Sequence, residues 1–81
     1  MKMFTIKDIF DGFIIGDTVE ITFADGRTFK GIYYGCEIDD EYPGDYINFS
    51  PFDANFDVVA IIDIADIRLI ERSKLKFNYM E

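Results

Sequence analysis

Carboxylates are the most abundant side chains here that could hold a metal ion or move a proton. Asp39, Asp40, Glu41 and Asp45 lie within seven residues, and calcium binds oxygen-rich clusters of this kind. Their spacing lacks the glycine and the terminal glutamate of an EF-hand loop. We therefore interpret the cluster as a solvated, charged loop and predict no metal ion and no cofactor.

Composition argues against other catalytic sites. The chain contains no histidine and one cysteine, Cys36, so nucleophile–base pairs and the usual zinc sites cannot be assembled. Paired carboxylates would need a cleft, whereas a small barrel fills its interior with side chains. No cationic neighbour in the sequence activates Cys36. We expect Cys36 to be a small buried apolar residue and the protein not to be an enzyme, with no catalytic residue.

The charge of the chain disfavours nucleic acid as a partner. Sixteen acidic and eight basic residues give a formal net charge of −8 at pH 7, which repels phosphate backbones. No Lys or Arg occurs between Cys36 and Asp66, whereas four basic residues follow at positions 68–76. We predict an acidic face that suits a protein partner with a basic surface, and no binding to nucleic acid or membrane.

Aromatic residues form 17% of the chain, more than so small a core can enclose. Phe23, Phe29 and Phe49 fit core positions. The aromatic residues of the acidic loop and of the following turn are left to pack locally or to form a protein-binding patch, since aromatic side chains are enriched at interface centres. The candidate protein-binding residues are Asp39, Asp40, Glu41, Tyr42, Asp45, Tyr46, Phe52 and Phe56.

A strand–turn–strand pattern positions these residues. Val19, Ile21 and Phe23 alternate with polar residues, as in a half-buried strand. Asp25-Gly26 is a strong hairpin signal and predicts a type I′ turn. Gly31 in the second strand predicts a sharp bend or a close approach of another backbone. Together these features predict a small, strongly curved β-barrel.

One short amphipathic helix is predicted over residues 5–11. Thr5 and Asp8 form the pattern of a capping box, and Gly12 suits the position just after a helix end. Ile6, Ile9, Phe10 and Phe13 fall at helical spacing. A helix this short needs packing against the barrel for its stability.

The remaining elements follow from alternation and turn residues. We predict a second strand over Arg27–Glu37, bent near Gly31 or Gly35, an exposed loop over residues 38–45 and a third strand over Tyr46–Ser50. Residues 51–56 are read as a turn, Asp57–Asp63 as an apolar strand, Ile64–Asp66 as a tight connection and Ile67–Glu71 as the last strand. Residues from Ser73 are read as a tail in which Leu75, Phe77 and Tyr79 alternate and could add an edge strand.

Length and hydropathy predict a single domain over residues 1–81, with the barrel at about 17–71 and the tail at 73–81. The sequence has no charged-then-apolar leader and no apolar run near 18 residues. We therefore expect a cytoplasmic protein.

The predicted hairpin carries a characteristic set of residues: Ile21, Phe23, Asp25, Gly26, Phe29, Gly31 and Tyr33, followed by Cys36-Glu37. This pattern resembles the Sm-like family of small β-barrels, and the resemblance covers most of residues 5–71. The same strand–turn–strand pattern also occurs in SH3-like barrels. The resemblance therefore implies an all-β, five-stranded Sm-like or SH3-like barrel with a short N-terminal helix. The chain is similar to acidic small barrels common in Firmicutes, and more distantly to the Sm-like inhibitor of the Rho termination factor, which is acidic and occupies a basic nucleic-acid site. Cys36-Glu37 lies where the Sm-like family usually has a hydrophobic residue and Asp.

The family's RNA-binding residues are not matched. Aligned on Ile67, the chain has Asp63-Ile64 where RNA-binding Sm-like proteins have Arg-Gly. Aspartate cannot donate to a phosphate or stack on a base as arginine does. The resemblance therefore implies the fold of the family without its RNA-contacting arginine.

These observations predict a non-catalytic protein-interaction module. Two alternatives stay open: an acidic inhibitor that mimics nucleic-acid charge, of the phage-encoded or Rho-directed type, and an RNA-binding subunit of an Sm-like ring. The apolar run Val58–Ile62 would be an aggregation hazard as a bare edge strand. We expect the C-terminal segment or a second chain to cover it, and the resemblance favours a homo-oligomer joined through edge strands.

Overall fold

The structure is a computed structural model that describes residues 4–74. The predicted edge strand through Leu75, Phe77 and Tyr79 therefore lies outside the described residues. One short helix precedes five strands, and a single turn of 3₁₀-helix separates the last two. The elements are α1 (Ile6–Gly12), β1 (Thr18–Phe23), β2 (Thr28–Glu37), β3 (Tyr46–Pro51), β4 (Val58–Ala60), the 3₁₀ turn (Ile61–Asp63) and β5 (Ile64–Glu71).

All five strands form one antiparallel sheet in the order β4-β3-β2-β1-β5. The two edge strands, β4 and β5, are joined directly by the 3₁₀ turn, so the sheet must curve to bring its edges towards each other. This arrangement is an all-β, small barrel-like fold with one short helix, as the sequence predicted. Within residues 4–74, no helix has the length and apolar character needed to cross a membrane.

The predicted capping box at the start of α1 is confirmed. The Asp8 amide donates to the Thr5 hydroxyl at 3.2 Å, and the Thr5 amide donates to the Asp8 carboxylate at 3.0 Å. The predicted role of Gly12 is wrong, because Gly12 is the last helical residue and the cap is Phe13. The Phe13 amide donates to the Ile9 carbonyl at 3.1 Å and ends the helix in extended backbone.

The β1–β2 hairpin forms where it was predicted, but its turn is not type I′. Gly26 has a φ of +95°, whereas Asp25 has a negative φ. The Gly26 amide donates to the Phe23 carbonyl at 2.9 Å, and the Phe23 amide donates to the Arg27 carbonyl at 2.7 Å. The loop is therefore three residues long, and only Gly26 adopts the left-handed conformation. Asp25 keeps a negative φ, which is the favourable range for a residue with a side chain.

Two glycines shape β2. Gly31 lies opposite Pro51 of β3, and a Cβ on Gly31 would lie 2.6 Å from the Pro51 Cα atom. Gly35 has a φ of +110° and lies where the β2–β3 register shifts between Tyr33 and Cys36. The first glycine permits a close approach of two backbones and the second a bulge that bends the strand.

The core lies between the curved sheet and α1. Of the three phenylalanines predicted for the core, Phe49 is buried, whereas Phe23 and Phe29 are half-buried and pack against its margin. The Phe23 and Phe29 ring centroids are 5.3 Å apart. The buried apolar residues are Ile9, Val19, Ile21, Tyr33, Ile47, Phe49, Val59, Ile61, Ile64 and Ile67.

The predicted strand over Asp57–Asp63 is wrong in its second half. β4 ends at Ala60, and Ile61–Asp63 turns as a 3₁₀-helix. Tertiary hydrogen bonds hold this turn: the Ile61 amide donates to the Asp45 carbonyl at 2.9 Å, and the Ala24 amide donates to the Asp63 carbonyl at 2.8 Å. The predicted tight connection over Ile64–Asp66 is also wrong, because these residues begin β5 and pair with β1.

Candidate functional site

The acidic loop is exposed and partly organised by its own carboxylates. The Asp39 amide donates to the Asp45 carboxylate at 3.1 Å, and the Glu41 amide donates to the Asp39 carboxylate at 2.9 Å. Asp40 is exposed beside them, and Tyr42 is 91% exposed. Among residues 4–74, no group of three or more His, Cys, Asp or Glu side chains is placed to hold a metal ion.

The structure does not bring the predicted protein-binding residues into one patch. Tyr42 precedes β3, and Phe52, which is 58% exposed, follows it. A six-residue strand is roughly 17 Å long, so these two aromatic side chains lie near opposite ends of β3. Tyr46 is half-buried at the first position of that strand.

Phe56 packs against the margin of the core, together with Phe23 and Phe29, and does not join an exposed patch. It is half-buried, and its ring centroid lies 5.2 Å from that of Phe29 and 6.0 Å from those of Phe23 and Phe49. Edge-on and tilted contacts of this kind stabilise aromatic clusters. Of the two aromatic residues in the turn over residues 51–56, Phe56 therefore packs against the core, whereas Phe52 is exposed.

A different surface has the shape of a binding site. Two adjoining depressions of about 580 and 560 Å³ lie between α1 and β2, and we name them together the α1–β2 groove. Phe10 and Cys36 line both depressions, so the groove is continuous. Its apolar lining comprises Ile6, Phe10, Phe13, Ile14, Ile15, Tyr33, Cys36 and Ile38.

The rim of the groove exposes large apolar side chains to solvent. Phe10 is 71% exposed and Ile38 is 75% exposed, while Ile14 and Ile15 are each nearly half exposed. Below them, the half-buried Phe13 ring packs on the buried Tyr33 ring with centroids 6.0 Å apart. The groove therefore has a floor of packed aromatic side chains and a rim of apolar side chains that are exposed to solvent.

The sequence contained a signal for this surface. Ile9 and Phe10 are about 100° apart on the helix, so they lie on opposite sides of the apolar stripe, and one can face the core while the other lies at its margin. Ile9 is fully buried and Phe10 is not. The adjacent Ile14 and Ile15 fit neither helical nor strand alternation for a single buried face.

A buried carboxylate fixes the connection that carries Ile14 and Ile15. Asp17 is fully buried, and its Oδ2 atom accepts a hydrogen bond from the Ile14 amide at 2.9 Å. Its Oδ1 atom accepts one from the Ser73 amide at 2.7 Å and lies 3.5 Å from the Arg72 Nε atom. No local sequence pattern marks Asp17 for this role, since its partners at positions 72 and 73 lie far along the chain.

Several polar groups at the groove have a hydrogen-bond partner within the protein. Lys7 Nζ donates to the Asp11 carboxylate at 2.7 Å, and this bond raises the pKa of Lys7 above 10.5. Asn48 donates to the Glu37 carboxylate at 3.3 Å. Burial, with the Cys36 thiol and the Asp17 carboxylate, raises the pKa of Tyr33 above its ordinary value, which keeps its hydroxyl neutral. Of the charged residues that line the groove, Lys7 and Asp11 neutralise each other, so the Glu37 carboxylate is the charge that would attract a basic group.

Cys36, predicted to be a small buried apolar residue, is half-buried: it packs against the core and also lines the groove. Asp63, which takes the place of the family's RNA-contacting arginine in the resemblance, is exposed in the 3₁₀ turn.

No family model, curated protein or solved structure matches this chain.

Proposed function

We propose that this protein is a non-catalytic protein-interaction module that binds its partner through the α1–β2 groove. The supporting observation is the continuous apolar rim, in which Phe10 and Ile38 are more than two-thirds exposed. Contiguous exposed apolar surface on a small protein marks an interaction site, because leaving it in water costs free energy.

The chemistry of the partner follows from the charges beside the groove. Glu37 lines one end, and exposed Asp39, Asp40 and Glu41 follow Ile38 along the chain. A partner segment with large apolar side chains and flanking Lys or Arg would bury the former and be steered by the latter. The acidic loop predicted as a contact site then acts as an electrostatic border of the groove.

The proposal extends to self-association through the edge strands, in keeping with the resemblance to Sm-like barrels. Val58 on β4 and Ile62 in the following 3₁₀ turn are each about half exposed. Leu69 and Ile70 are about 40% exposed on β5. Within residues 4–74, β4 and β5 each have no partner strand on their outer side, so they provide the backbone groups and the apolar contacts for pairing with a second copy.

Paired surface variants test the assignment of the groove. Phe10→Ser and Ile38→Ser alter exposed side chains and leave the core intact, and Phe52→Ser is a matched control at an exposed aromatic residue outside the groove. Tagged proteins are used for quantitative affinity capture from the source cell, followed by direct titration of each captured partner.

We expect partners bound by the wild type and by Phe52→Ser to be lost with Phe10→Ser and Ile38→Ser. Equal capture by all four proteins would contradict the groove assignment. A further variant neutralises Asp39, Asp40 and Glu41. If partner capture is lost only in that variant, the result would instead favour the acidic inhibitor that mimics nucleic-acid charge.

A further inference from the structure

The last described residues of the chain are held beside the α1–β2 groove. After β5, the Arg72 side chain donates to the Gly12 carbonyl at 3.2 Å, and the Ser73 amide donates to the Asp17 carboxylate at 2.7 Å. Gly12 and Asp17 bracket the connection that carries Ile14 and Ile15, two lining residues of the groove. Residues 75–81 therefore continue from a point close to one end of the groove.

The sequence of the following segment has the chemistry inferred for a groove ligand. Leu75, Phe77 and Tyr79 provide large apolar side chains at alternate positions, and Lys74 and Lys76 flank the first of them. Two lysines complement the acidic border, whereas the rest of the chain is strongly acidic. Few other segments of this sequence combine apolar side chains with basic charge.

The length of the segment is sufficient. Seven residues reach at most about 25 Å, and a seven-residue helix such as α1 is only about 10 Å long. A ligand tethered beside its site also has an effective concentration near the millimolar range, so modest contacts are enough to keep it bound.

From these observations we propose that residues 75–81 bind in the α1–β2 groove of their own chain. Leu75, Phe77 and Tyr79 cover the rim formed by Phe10 and the connection after α1. The segment thereby competes with the external partner, a consequence that rests on the proposed function. A partner must displace this internal ligand before it can bind.

Cys36 provides a direct reporter of occupancy. It is the single cysteine of the chain, is half-buried and lines both parts of the groove. Its rate of alkylation by iodoacetamide, followed by mass spectrometry, therefore measures access to the groove. We compare the full chain with a chain ending at Lys74 and with the variant Leu75→Ser/Phe77→Ser/Tyr79→Ser. The matched control, Asn78→Ser/Met80→Ser, changes the alternating positions of the same segment.

We expect alkylation to be about tenfold faster after truncation and in the triple variant, and unchanged within about twofold in the control. A synthetic peptide of residues 73–81, added in excess to the shortened chain, should slow alkylation again. Circular dichroism establishes that each variant is folded. If the shortened chain fails to fold, the alkylation rates of the full chain, the triple variant and the control are compared instead.

Equal alkylation rates in all folded variants would overturn the proposal, as would an equal increase in the control. Protection that disappears on dilution would also overturn it, because the groove would then be covered by a second copy. The result is separable from the proposed function: partner capture depends on Phe10 and Ile38, whereas Cys36 protection is measured on the purified chain alone.

Discussion

The buried carboxylate of Asp17 accepts a hydrogen bond from the backbone amide of Ser73 at 2.7 Å, across 56 positions of the chain. The same side chain accepts from the Ile14 amide. One aspartate thus joins the connection after α1 to the end of β5, and through them it holds one wall of the α1–β2 groove.

Replacing Asp17 with alanine should strongly destabilise the fold. Both amides would lose their acceptor in a partly buried place, which costs about 1–3 kcal/mol for each group. We expect a loss of roughly 3 kcal/mol in the free energy of unfolding, measured by urea denaturation. Asp66→Ala, at an exposed aspartate of β5, should change it by less than about 0.5 kcal/mol. Similar urea midpoints for the two variants would contradict the role of Asp17.

Gly31 should tolerate no side chain. A Cβ there would overlap the backbone of β3, so Gly31→Ala should cost more than the typical ~1 kcal/mol of a point substitution, and Gly31→Val more still. Gly12→Ala is the control, since a Cβ at Gly12 meets nothing within 4 Å. Thermal melts followed by circular dichroism should show only the Gly31 variants destabilised.

Stability should fall at alkaline pH because of Tyr33. Burial is the main cause that raises the pKa of its hydroxyl above 10.0. The unfolded state therefore loses this proton first as the pH increases, so the stabilisation is complete below about pH 10 and declines above it.

Urea midpoints measured at about pH 8 and about pH 11 should differ less for Tyr33→Phe than for the wild type. Tyr42→Phe, at a side chain that is 91% exposed, should keep the wild-type difference. An unchanged pH dependence in Tyr33→Phe would assign the alkaline transition to another group.

The protein should not bind RNA or DNA with useful affinity. Nucleic-acid affinity depends largely on cations that replace counterions, and this chain carries a net charge of −8 with Asp63 exposed at the position compared with the family's arginine. Fluorescence anisotropy with uridine-rich and adenine-rich oligonucleotides should show no sub-micromolar binding at physiological salt. Weak binding through the basic residues near position 74 should disappear as salt is added. Tight binding would restore the RNA-binding alternative.

Self-association should depend on the sheet edges. Light scattering over a dilution series should give a mass above that of the 9.4 kDa chain, and Val58→Lys/Ile62→Lys should lower it, because charge on an edge opposes pairing. Tyr42→Lys, at an exposed loop residue, is the matched control. A strict monomer at high concentration would remove the oligomer from the proposed function.

Local patterns in the sequence determined the elements whose causes are local. Thr5 and Asp8 are three residues apart and formed the capping box. The alternation of Val19, Ile21 and Phe23 predicted β1, and Gly26 supplied the left-handed turn position. Such features depend on backbone preferences within a few residues, so the all-β fold could be predicted from them.

Only the tertiary structure decided features whose partners lie far apart in the chain. The apolar run Val58–Ile62 breaks at Ala60 because Asp45 and Ala24 hydrogen-bond to the following turn. Phe56 packs against the core, although its neighbours indicated an exposed loop. The α1–β2 groove depends on which side of α1 meets the sheet and on the contact between Asp17 and Ser73. Long-range packing of this kind leaves no periodic signal in the sequence, because the contacts join segments that are independent until the chain folds.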